Sequence, residues 1–485
     1  MNALLLAALL LPARFLPEVL TAQAGPRAAQ APAPGSPAAP PALPPELPAS
    51  STPFQPQVSD PLLASVPPAP LQLSSWAEAL GLLRQRSTDL QVALAQLESA
   101  AGQWRVALAA LLPSVQGTAS VVYNVLHPGS APFISGVGGG AAGGGGPTPT
   151  APLGVGMLNI SVSVLNYSAY TALGTARESE RAASWSLAET RRQLTSQLAS
   201  ALVSVVASER LAEVNRVNLR TALERLALTQ RRFELGAGTQ LDVVRVQQDA
   251  ETARGAVVSG DETLRKAREA LGLALGLPQA VGLAQSAPLQ AVFAQARRDC
   301  RQLEALDNRP DLAAARSRLT VAERGVTQVQ TEYAPTLALQ SSTTAITVGP
   351  GTAQVPSWNL AAALVLPFWD GGAREGRLRQ ARAQLEVARQ DVTGRERSVT
   401  VEVIQARRDV EVAQAGRDIA VRARDLAEES DRLTRRSFEV GTGTSLELVQ
   451  SAGALRQAEL QVVLREFQLQ QAQVAAFLAE AACDW

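Results

Sequence analysis

The chain has 485 residues, of which 46% are hydrophobic and only 18% charged, with 44 basic side chains balanced by 44 acidic ones. Zero net charge argues against a nucleic-acid partner, which needs a positive excess to displace counterions. A single histidine and two cysteines are too few for a His/Cys metal site or imidazole-based catalysis, and 4% aromatics in an Ala/Leu/Val/Gln/Arg-rich chain is the composition of long helices rather than of an enzyme core.

The first 24 residues read as a signal peptide: Ala3 to Leu11 is an apolar run, and Ala22-Gln23-Ala24 before Gly25 forms an A-x-A cleavage site. The usual positive n-region is missing, and no lipobox cysteine follows. Residues 25–73 are dominated by Pro and Ala. Proline at this density favours extended polyproline II, so the stretch is expected to be a tether with no fold of its own, and the structured part to begin near Ser74. Nothing downstream approaches 18 consecutive apolar residues. If the chain crosses a membrane, it does so with β-strands.

The body is an internal duplication. Thr88-Asp89-Leu90, running to Leu112-Pro113, reappears as Arg309-Pro310-Asp311-Leu312, running to Ala334-Pro335, at an offset of about 222 residues. Arg232-Phe233-Glu234-Leu235-Gly236-Ala237-Gly238-Thr239 recurs as Ser437-Phe438-Glu439-Val440-Gly441-Thr442-Gly443-Thr444 at about 205. The discrepancy falls in one loop. The first repeat covers residues 74–277 and the second 300–482, with 278–299 as a linker between them.

Each copy reads helix, two strands, helix, helix. In copy one, a helix from about Trp76 to Leu112 is stopped by Pro113, which has no N–H to donate. Val115, Gly117, Ala119, Val121 and Tyr123 then alternate with polar residues, as do Leu158, Ile160, Val162 and Val164, giving a hairpin over 114–165. The intervening loop, His127 to Pro152, holds GVGGGAAGGGG. No Gly-Lys-Ser/Thr follows, so it is a hairpin tip and not a nucleotide cradle, with His127 exposed beside it. In copy two, over 336–369, the strand opened by Leu337 and Leu339 fades into Ser341-Ser342-Thr343-Thr344, Gly349 to Pro356 forms a short tip, and Trp358 to Phe368 alternates well.

From about Tyr170 to Arg232 no proline occurs, which predicts a helix of about 90–95 Å. Leu194, Leu198, Ala201, Val205, Ser208, Ala212, Asn215, Leu219, Ala222, Leu226, Thr229 and Phe233 step by fours and threes, the rhythm of a left-handed supercoil. The copy-two helix, Arg374 to Phe438, starts with Val399, Val403, Ala406, Val410 and Ala413, then drifts to Ile419, Leu426 and Leu433.

Four amphipathic strands are long enough to cross an outer membrane but too few to close a barrel, and an open edge in lipid leaves backbone groups unpaired at several kcal/mol each. Several chains must therefore share one barrel. With the strands at one end, the long helices continue as a tube on the periplasmic side. Cys300 and Cys483 match no disulfide or zinc spacing and read as unrelated thiols.

The duplicated Asp-Leu…Pro pattern, Leu366-Pro367-Phe368-Trp369-Asp370-Gly371-Gly372 ahead of the long helix, and the paired Phe-Glu-x-Gly-x-Gly-Thr turns resemble the TolC-type outer membrane factors over about Ser74 to Ala482. The resemblance implies an α+β membrane protein: a homotrimer whose four strands per chain build a 12-stranded transmembrane barrel, continued by an α-helical periplasmic coiled-coil tunnel. It implies an outer-membrane exit duct of a tripartite efflux pump or type I secretion system, set in outer-membrane lipid. Its expected partners are a periplasmic adaptor and an inner-membrane RND, ABC or MFS transporter, with no cofactor. Leu235-Gly236-Ala237 and Val440-Gly441-Thr442 look like the family's adaptor-contacting tip turns.

In relatives, two acids one helical turn apart ring the entrance. Glu447 fills the first position and Gln450 the second, so about half the charge is expected. Asp242 matches an acid that latches the entrance. Its expected basic partner is absent at Gly443 and Phe438 has no hydroxyl, so the latch is expected to be weaker or differently built. An acid in a helix's first turn is also plain dipole compensation. The competing reading is a non-conducting envelope spacer, which has no need for half-wet hairpins. Arg/Asp/Glu pairs such as Arg407-Arg408-Asp409 read as solvated faces.

Overall fold

The computed structural model describes residues 56–126, 128, 150–284, 294–295, 297–348 and 352–485. The expected signal peptide, residues 25–55, His127 and most of the Gly-rich tip lie outside them. In chain order the elements are β1 (Leu71–Leu73), α1 (Trp76–Arg86), α2 (Thr88–Ala109), β2 (Ser114–Val122), β3 (Leu153–Leu165), α3 (Tyr167–Glu234), α4 (Gln240–Ala274), β4 (Val281–Leu283), β5 (Cys300–Gln302), α5 (Pro310–Thr331), β6 (Thr336–Val348), β7 (Thr352–Val365), α6 (Ala373–Glu439), α7 (Ser445–Ala479) and β8 (Ala481–Cys483).

The four long strands form one antiparallel sheet in the order β2-β3-β6-β7. The polar run Ser341–Thr344, where the sequence pattern fades, does not end β6. It pairs on both sides, Ser341 with Ile160 and Leu360 and Thr343 with Leu158 and Trp358, so two ladders of backbone hydrogen bonds carry it through. From the sheet descend α3, with 68 residues, and α6, with 67, each about 100 Å long, and both return as 35-residue helices. The expected heptad seam is largely real: Leu198, Val205, Ala212, Leu219 and Ala222 of α3 are fully buried, with Ala250, Ala253 and Val257 of α4 closing the lower part. Small side chains let the two axes approach closely.

Around the middle of the molecule lies the main core. Leu73, Trp76, Leu80, Leu83 and Leu90 pack on Leu194, Leu198 and Leu202 of α3 and on Leu271, Leu275 and Val281. Here the first helix differs from its sequence reading. It breaks at Ser87, whose backbone turns extended (ψ 119°) and whose hydroxyl accepts from the Leu90 N–H at 3.3 Å, capping α2.

Residues 56–73, read from composition as part of an unfolded tether, are folded onto the body. Asp60 accepts from Leu62 N–H and pairs with Arg254, both at 2.9 Å, while Arg216 and Arg268 donate to the carbonyls of Ala64 (3.1 Å) and Pro67 (2.7 Å). Val58, Leu62 and Leu63 cover the α3–α4 seam, and β1 pairs in parallel with β4, inside the stretch taken as the inter-repeat linker. A proline-rich segment lacks donors but keeps its carbonyls, and arginines on the body supply the donors.

The two cysteines are also not separate. β5 and β8 pair antiparallel with Cys300 opposite Cys483, and the two form a disulfide across 183 residues of sequence. Local spacing rules cannot see such a pair. The bond closes a loop around the second repeat, and both cysteines are buried. Beyond it, Trp485 donates to Thr195 Oγ1 at 2.9 Å and lies under the guanidiniums of Arg84 and Arg191. Replacing both cysteines by serine is expected to cost about 2–5 kcal/mol. Thermal melts of the variant, and of the native protein with and without dithiothreitol, measure that loss, and non-reducing gels report the loop.

Candidate functional site at the hairpin tips and sheet edges

At the sheet end, β2 and β7 each have one unpaired edge. Their large apolar side chains stand in the open: Val115, Val121, Trp358 and Leu360 are at least 65% exposed. At the junction with the helices Tyr167, Tyr170, Tyr333, Phe368 and Trp369 are exposed as well. Amphipathic rings at one end of an apolar sheet are what a membrane–water boundary favours. No described helix is long and apolar enough to cross a membrane.

At the opposite end the repeats make the same turn twice. Gly236 (φ 75°) and Gly441 (φ 82°) sit in the left-handed region with open space around them, so backbone conformation rather than crowding calls for glycine. Ala237 N–H donates to Arg232 O at 2.8 Å and Thr442 N–H to Ser437 O at 3.0 Å, closing both helix ends. Thr239 and Thr444 then cap α4 and α7 in capping boxes with Asp242 and Glu447. Leu235, Gly236, Ala237, Val440, Gly441 and Thr442 are all exposed at these tips.

Asp242 and Glu447 are thus equivalent first-turn acids with different surroundings. Asp242 also accepts from the Ser445 hydroxyl, and this bond, with help from Thr239, holds its carboxyl below the usual range. Among the described residues Glu447 is bound only within its own capping box, and it is exposed, as is Gln450 one turn further along α7. The structure therefore joins Asp242 of the first repeat to Ser445 of the second, while among the described residues Glu447 and Gln450 make no hydrogen bond to the first repeat.

Further side chains link the two hairpins. Arg232 of α3 donates to Phe438 O at 3.0 Å and stands 4.3 Å from the centre of the Phe438 ring. The ring that lacks a hydroxyl is gripped by its carbonyl and its face instead. Higher up, Arg456 of α7 pairs with Asp249 of α4 at 2.9 Å, with Arg225 of α3 at 3.7 Å from the same carboxylate. Asp431 of α6 holds Arg435 at 2.9 Å and accepts from Ser451 at 3.2 Å. Asp249 and Asp431 are buried. Their signal in the sequence is that the repeats disagree there: Arg232 aligns with Ser437, Asp249 with Ala454, and Glu251 with Arg456.

The pattern of the outer membrane efflux protein family matches residues 79–277 and 303–479, one stretch per repeat. The chain belongs to that family. The alkaline protease secretion protein AprF of Pseudomonas aeruginosa is 26% identical over 260 residues, 51% of this chain and 52% of that protein. The pyoverdine export outer membrane protein OpmQ of Pseudomonas putida is 27% identical over 295 residues, 57% of this chain and 59% of that protein. The chain spans just over half the length of these curated relatives in the matched region. The crystal structure of the outer membrane protein VceC from Vibrio cholerae superposes with a TM-score of 0.69 at 19% identity, covering 83% of this chain and 95% of that one. The fold is therefore that of the outer membrane efflux proteins, an α+β membrane protein with a sheet for the barrel and hairpins for the tunnel, and its place is the outer membrane.

Proposed function

We propose that the protein is the outer-membrane exit duct of a tripartite efflux pump or a type I secretion system, conducting cargo passively from periplasm to exterior. One observation carries this reading: a four-stranded amphipathic sheet with both edges open, set at one end of hairpins about 100 Å long. Open edges cannot stay unpaired in lipid, so copies of the chain close the barrel between them, and the helices below must form a second ring. Three copies give twelve strands, and the homotrimer is part of the proposal.

The exposed turns at Gly236 and Gly441 are where a periplasmic adaptor docks, itself joined to an inner-membrane transporter. Glu447, unencumbered at the tip, supplies the charge of the entrance ring. The Arg232–Phe438, Asp242–Ser445 and Asp249–Arg456 links are the latch that replaces the one missing at Gly443. No step in this function forms or breaks a covalent bond.

Planar-bilayer recording tests the proposal. Purified protein gives small, cation-preferring openings, and Glu447→Gln lowers the cation preference severalfold. Arg232→Ala removes a charge-assisted hydrogen bond worth about 1.5–3 kcal/mol, so open occupancy rises about tenfold or more. A protein that never conducts, native or variant, is a spacer.

A further inference from the structure

Just above the tip, a cavity of 330 Å³ lies between α3, α6 and α7. Its apolar walls are Leu228, Phe438 and Leu448, so all three helices contribute. Three guanidiniums share it: Arg225, Arg232 and Arg435. Their carboxylate partners do not add up. Arg435 has Asp431, but Arg225 is 3.7 Å from an Asp249 carboxylate whose other oxygen is already bound by Arg456. Among the described residues Arg232 is met by a carbonyl and a ring alone. Glu224 and Glu439 also line the cavity, yet among the described residues Arg225 and Arg435 pair with Asp249 and Asp431, and none of the three arginines with either glutamate.

Arg225 is the group that points to a ligand. Its side chain is only 12% exposed, and its Nε is buried with no hydrogen-bond partner. Burial lowers its pKa, and the pull of Asp431 and Asp249 does not restore it. A buried guanidinium short of partners is destabilising, and an anion seated against it offsets that burial.

We propose that this cavity binds a small amphiphilic organic anion, its aryl or short alkyl body between Leu228, Phe438 and Leu448 and its anionic head at Arg225. The volume, at the lower end of small-molecule sites, suits one ring system and not a polypeptide segment. A ligand there touches both repeats, beside the Arg232–Phe438 link, and so favours the arrangement in which the two hairpins are together. The inference rests on the geometry of the tip and stands or falls separately from conduction.

The test is ¹⁹F NMR titration of the full-length protein in lipid nanodiscs, with empty nanodiscs as the blank. The probes are a fluorinated naphthoate and its uncharged amide, which share shape and differ in charge. The acid is expected to bind saturably and at least tenfold tighter than the amide. Arg225→Met brings it down to the amide's affinity, and Leu448→Trp, which fills the cavity, removes saturable binding of both. Equal affinities for acid and amide, no saturable binding of the acid, or binding that survives Leu448→Trp would each overturn the proposal. If Arg225→Met does not assemble, the acid–amide comparison on the native protein still decides it.

Discussion

Ile419→Asp combined with Leu426→Asp abolishes the SDS-resistant oligomer and leaves helical monomers. The two side chains belong to a stripe along α6 and its C-cap, Val412, Ile419, Leu426, Leu433 and Val440, each seven residues after the last and each 55–73% exposed. A seven-residue apolar repeat is a coiled-coil seam, and this one has nothing against it within the protomer. Burying such a side chain is worth about 1.5–3 kcal/mol, and each substitution would be copied into every interface of the proposed homotrimer. A carboxylate in each seam would also have to be desolvated without a partner. Heat-modifiable migration on gels and sedimentation in detergent follow the loss, while Ile419→Val is expected to keep the oligomer. Oligomers that survive the double aspartate variant would place the subunit contact elsewhere.

The second large effect is in the middle of the molecule. Arg309 is almost fully buried, pairs with Asp311 at 2.9 Å and Glu402 at 2.6 Å, and donates to Ala479 O at 3.0 Å. Arg192 reaches Leu478 O at 3.2 Å. Two arginines thus close the carbonyl end of α7, where the helix dipole favours cations, and tie α3, α5 and α6 to it. Arg309→Met leaves Asp311 buried without its partner and is expected to cost about 3–5 kcal/mol in thermal or denaturant unfolding.

The pH dependence follows from the same pair. Burial by itself would raise the Asp311 carboxyl, but the hydrogen bonds and charge of Arg309 outweigh it and hold the pKa below its ordinary value of 3.8. A depressed folded-state pKa gives stability that is present above 3.8 and lost as pH falls through the lower, folded value. In Arg309→Met burial is opposed only by the charge of Arg192 and the Leu312 N–H, so the acid transition moves to higher pH. Melting temperature against pH for the two proteins measures the shift. An unchanged acid limb would assign that limb to other carboxylates.

The tip shows how much of the site could be read in advance. Both glycine turns, the threonine caps and the two first-turn acids follow from a local motif repeated twice, because helix reversal is decided within about eight residues. The inter-repeat links were hidden for the opposite reason. Arg232, Asp249 and Arg456 are each ordinary charges on a helix surface, and they acquire roles only because α3 and α4 lie against α6 and α7. The expectation of a differently built latch rests on Asp242 and on what Gly443 and Phe438 lack; the side chains that would complete the proposed latch, Arg232, Asp249, Ser445 and Arg456, carry no such sign in a local motif.

The sequence by itself determined the duplication, the four strands, the two long hairpins and their turns, since period, capping and glycine placement act over short stretches of chain. It also implied that one chain is not enough, because four strands cannot seal an edge. Only the tertiary structure decided that residues 56–73 are bound, that Cys300 meets Cys483, and that the α6 stripe faces outward. Each of these depends on groups brought together from distant parts of the chain, and composition and local spacing carry no record of such meetings.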